Sequence, residues 1–84
     1  MTTRAALIRW CADQVRSTDN SQAVLDAADY LDDRATEADA DEATVQDRSA
    51  VIRWCATQVH SMGGDYTAEL AADHLDDLAT EETS

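Results

Sequence analysis

The chain contains no phenylalanine, no lysine, and only two glycines and two cysteines. Hydrophobic residues make up 44% of it, but many are alanines, so any core must be thin. All positive charge comes from 6 arginines, set against 18 acidic residues, which leaves a net charge of −12. That balance disfavours direct binding to DNA, RNA or an anionic membrane. It also matches the composition of a high-GC genome or a salt-adapted proteome, which accounts for the acidity without any partner. No apolar run approaches the roughly 18 residues that a membrane span needs. The start Met1-Thr2-Thr3-Arg4 lacks the apolar centre of a secretory signal. The expected location is the cytoplasm, where two cysteines are free thiols rather than a secreted-type bridge.

What the chain does have is a repeat. Arg4 to Glu37 lies over Arg48 to Glu81 at a constant offset of 44, without a gap. Ile8-Arg9-Trp10-Cys11-Ala12 matches Ile52-Arg53-Trp54-Cys55-Ala56, and Gln14 and Val15 match Gln58 and Val59. A second block pairs Ala27-Ala28-Asp29 with Ala71-Ala72-Asp73, Leu31-Asp32-Asp33 with Leu75-Asp76-Asp77, and Ala35-Thr36-Glu37 with Ala79-Thr80-Glu81. Between the blocks lie Ser17-Thr18-Asp19-Asn20-Ser21 in one copy and Ser61-Met62-Gly63-Gly64-Asp65 in the other. Both read as turns: Asn or Gly ends one helix, and Ser21 or Asp65 caps the next. Each copy is helix, tight turn, helix.

Helical periodicity selects the buried faces. Leu7, Ile8, Cys11 and Val15 share one face, as do Val51, Ile52, Cys55 and Val59, with the cysteines near the centre, while Arg9, Asp13 and Arg16 face away. In the second helix of each copy Val24, Ala28, Leu31 and Ala35, or Ala68, Ala72, Leu75 and Ala79, follow the 4-3-4 spacing of a bundle seam. Residues 38–47 form an acidic linker without Gly or Pro, expected to be partly helical. Thr44 is the expected cap of the third helix, with Val45 on its apolar face. Glu81 to Ser84 are expected to fray. The predicted fold is all-α: residues 1–84 form one domain of two helical-hairpin repeats, 4–37 and 48–81. These build an antiparallel four-helix bundle with internal pseudo-two-fold symmetry.

Few residues invite chemistry. Trp10 and Trp54 sit at the edge of the apolar stripe, either closing the core or serving as symmetry-related interface anchors. The cysteines read as small buried hydrophobes, and a redox link requires them to oppose one another across the pseudo-two-fold axis. His74 lies among Asp73, Asp76 and Asp77, but no Cys or second His is near it in sequence, and no metal site is assigned. Leu70, His74 and Leu78 recur every four residues where the first copy has Asp26, Tyr30 and Arg34, giving the last helix a second, partly apolar stripe. This stripe reads as a wider core face, a dimer interface or a partner groove. Asp26, Asp29 and Asp33 line one helix face at i, i+3 and i+7, with Asp73 and Asp77 repeating part of it. Such a row is ordinarily a solvated face, but it can also imitate a phosphate backbone.

No Ser-His-Asp arrangement, Gly-rich phosphate loop or HExxH motif is present, so neither catalysis nor a cofactor is expected. The sequence therefore points to a non-catalytic acidic helical module that binds another protein, as a monomer or homodimer, and is compatible with a phage-encoded origin. The alternative is an acidic DNA mimic that inhibits a DNA-binding protein.

Overall fold

The apolar spacing of the sequence becomes four helices in the computed structural model, which describes residues 3–18, 20–38, 47–62 and 66–83. They are α1 (Arg4–Thr18), α2 (Gln22–Ala38), α3 (Arg48–Ser61) and α4 (Tyr66–Thr83), and no strand occurs among the described residues. The starts of α1 and α3, and those of α2 and α4, differ by the same 44 residues that separate the copies in sequence.

The starts of α1, α2 and α3 are each capped by a side chain that replaces a missing intrahelical partner. Thr3 Oγ1 accepts from the Ala6 amide at 3.2 Å, and Ser21 Oγ from the Val24 amide at 3.4 Å. Asp47 Oδ1 accepts from the Ala50 amide at 3.2 Å and from the Ser49 hydroxyl at 2.7 Å. These bonds, the one from Ser49 foremost, hold the Asp47 carboxyl below its ordinary pKa. Thr3 and Asp47 are themselves 44 residues apart. The cap of α3 is thus Asp47 and not Thr44, because the helix begins one residue after the aspartate. Thr44 and Val45, the rest of 39–46, and Gly63, Gly64 and Asp65 lie outside the described residues.

At the other end, α4 continues through Thr83 instead of fraying from Glu81. Glu82 reaches Arg48 of α3 at 3.3 Å, which ties the last turn down.

α1 packs chiefly on α2 and α3 on α4, and every helix also touches the other three. The predicted faces are buried: Leu7, Ile8, Cys11 and Val15 from α1, Val24, Ala28, Leu31 and Ala35 from α2, and their counterparts from α3 and α4 except Ala68 form one continuous cluster. Nearly half of the buried apolar residues described are alanines. Their short side chains let helix backbones approach closely, and the molecule is only 19 Å across its thinnest dimension. Every buried side-chain polar atom described has a hydrogen-bond partner.

In a core with so few large side chains, each leucine matters. Leu31 and Leu75 are fully buried at equivalent positions. Leu75→Ala is expected to destabilise the fold by about 2–5 kcal/mol in chemical denaturation, by lost burial and an unfilled cavity. An equal loss is expected for Leu31→Ala.

Candidate functional site

Several positions equivalent in the two copies make similar interactions, even where the residues differ. The Arg48 guanidinium lies 5.9 Å from the centre of the Trp10 ring, and the Arg4 guanidinium 4.8 Å from that of Trp54. Each arginine thus covers the tryptophan of the other copy, a cation–π contact that also shields the ring. Arg34 adds a second cation 6.0 Å from Trp54. Both tryptophans are half-buried and pack against the core.

The stripe on α4 divides in two. Leu78 is half-buried against the core. His74 is also half-buried, with Nε2 3.5 Å from Gln14 Oε1 of the other copy. Its counterpart Tyr30 donates its hydroxyl hydrogen to Gln58 Oε1 at 3.1 Å. These two residues look unrelated in the sequence yet bridge to the equivalent glutamine. Leu70, by contrast, is 46% exposed, and Tyr66, one turn before it, is 71% exposed. Met62, at the end of α3, is exposed as well. Tyr66 and Met62 are not among the residues singled out by the sequence pattern. The available signal was the i, i+4 step from Leu70 back to Tyr66, where the first copy has polar Gln22.

The acidic residues Asp26, Asp29, Asp33, Asp73 and Asp77 are all exposed. They are not one uniform row of free carboxylates. Asp26 accepts from Gln22 Nε2 at 2.8 Å. Arg16 is half-buried and reaches across from α1 to the carboxylates of Asp32 and Asp29 on α2, the latter at 3.3 Å. The bond to Asp32 first, and then that to Asp29, raises the arginine's pKa above its ordinary value. In the second copy His60 takes the place of Arg16. Its Nε2 lies 3.8 Å from Asp76 and 4.0 Å from Asp73, the counterparts of Asp32 and Asp29. His60, Asp73 and Asp76 are the set of residues able to hold a metal among those described.

Comparison with family models, with curated proteins and with solved structures finds no match to this chain. No helix among the described residues is long and apolar enough to cross a membrane.

Cys11 and Cys55 are free, fully buried and adjacent across the contact between α1 and α3. The hydrogen bond to the Cys55 thiol, and after it burial, push the Cys11 thiol far above the ordinary range. A protonated, inaccessible thiol is a poor nucleophile. Both cysteines are expected to resist an aromatic disulfide reagent in the native protein and to react fully in denaturant. Rapid labelling of either under native conditions would contradict this placement.

Proposed function

We propose that the chain is a non-catalytic acidic module, acting in the cytoplasm, that binds another protein through α4. The observation that carries this reading is the exposed Tyr66 and Leu70, one turn apart on the same helix, with Met62 also exposed at the end of α3. An aromatic and an aliphatic side chain at i, i+4 spacing form the apolar centre of a helix-mediated contact. The exposed carboxylates around them supply an acidic rim suited to a basic partner. Trp10 and Trp54, each covered by an arginine, serve the core more than a partner. His74 and Leu78 sit at the inner edge of the surface.

The architecture we propose for this module is one domain, an antiparallel four-helix bundle with internal pseudo-two-fold symmetry. The reciprocal contacts support it: Arg4 with Trp54 against Arg48 with Trp10, and Tyr30 with Gln58 against His74 with Gln14. A bundle already complete within one chain leaves the face of α4 available.

The second reading, mimicry of nucleic acid, draws on the exposed Asp26, Asp33 and Asp77 and on the net charge of −12. Salt separates the two readings, because a charge-only contact weakens steeply as ionic strength rises. In co-purification from the native host, an apolar contact is expected to survive high salt and to be lost in a folded Tyr66→Ser, Leu70→Ser double variant. A partner lost with salt, displaced by DNA and indifferent to the double variant would instead support mimicry. Absence of any partner under both conditions would remove both readings.

A further inference from the structure

The geometry points to a surface site for a zinc-class divalent transition-metal ion formed by His60, Asp73 and Asp76. The three residues converge from two packed helices. His60 lies in the last turn of α3, and Asp73 and Asp76 are neighbours at i, i+3 on one face of α4. One ligand atom from each lies within 4.8 Å of the other two, with His60 Nε2 at 3.8 Å and 4.0 Å from the carboxylate oxygens. Tetrahedral zinc, bound at about 2.0–2.2 Å from nitrogen and oxygen, needs its ligands roughly 3.4 Å apart. All three side chains are exposed, so small rotations close that gap, and water completes the coordination.

The first copy supplies an independent reason to expect a cation here. There the equivalent carboxylates, Asp29 and Asp32, are closed around the Arg16 guanidinium, which bonds to both. The backbone thus sets this pair of carboxylates around a positive charge. In the second copy the arginine is replaced by His60, so the same two carboxylates are set beside an imidazole nitrogen able to ligate a metal instead of a fixed guanidinium cation. One imidazole with two carboxylates suits zinc, cobalt or nickel, whereas magnesium and calcium prefer an all-oxygen shell. A chain with a net charge of −12 also concentrates cations near its surface. The buried Cys11 and Cys55 do not compete for the ion in the folded protein.

The probe is zinc chloride, titrated calorimetrically into the full chain at neutral pH, with imidazole resonances followed by NMR. The expected result is one saturable zinc per chain at sub-millimolar concentration. Binding is expected to be abolished by His60→Arg, which restores the cation of the first copy, to weaken at least tenfold in Asp76→Asn, and to be unchanged in His74→Ala. The ring protons of His60 should shift on binding and those of His74 should not. This NMR readout on the unaltered protein decides the question even if a variant fails to fold. The site is overturned if zinc does not saturate, if it binds equally well to His60→Arg, or if the shifts fall on His74.

Discussion

Everything in this structure depends on close packing between helices whose contact faces are largely alanine. A face of Val24, Ala28, Leu31 and Ala35 buries little area by itself, and its counterpart Ala68, Ala72, Leu75 and Ala79 buries still less. A hairpin of about 40 residues with such faces lies at the lower size limit for independent folding. Joining the apolar faces of both hairpins into one cluster resolves this. The small side chains then become useful, because they bring the α1 and α3 cysteines against each other and leave no buried side-chain polar atom unpaired among the described residues.

Around this core the two copies are held together by reciprocal contacts at its rim. Arginine over tryptophan occurs three times and an aromatic ring against glutamine twice, always between copies. The clusters around Arg16 and His60 are different, since each faces carboxylates within its own copy. Several of the six arginines take structural tasks: Arg4 and Arg48 cover indole rings, and Arg16 gathers carboxylates. The exposed surface of α4 is left with Tyr66 and Leu70 as apolar features amid negative charge.

The helices and their buried faces were legible in the sequence because both follow from local periodicity. Leu7, Ile8, Cys11 and Val15 repeat with the helical turn, and so does burial. Ser21 was legible as a cap for the same reason, its chemistry acting within one turn. Asp47 was less so, since in a linker rich in Asp, Glu and Thr several residues fit a cap and only the actual start of α3 selects one. What the sequence concealed were meetings between helices. His74 and Tyr30 seemed to mark a difference between the copies, yet both bridge to the equivalent glutamine of the other copy. His60 carries no signal in the sequence, because its carboxylate neighbours lie on the following helix, at a distance set by how α3 and α4 pack. The exposure of Tyr66 likewise depends on the rotation of α4 about its axis, which an amphipathic pattern fixes only coarsely when the face is mostly alanine.

The central claim is that both copies are stabilised by one shared core and so lose structure together. Native-state hydrogen exchange of the full chain tests it directly, because it reads the opening free energy of each helix separately. The account predicts that the slowest amides around Cys11 and Leu31, and those around Cys55 and Leu75, exchange with the same free energy and the same denaturant dependence. Two distinct values, with one hairpin opening while the other stays protected, would contradict it.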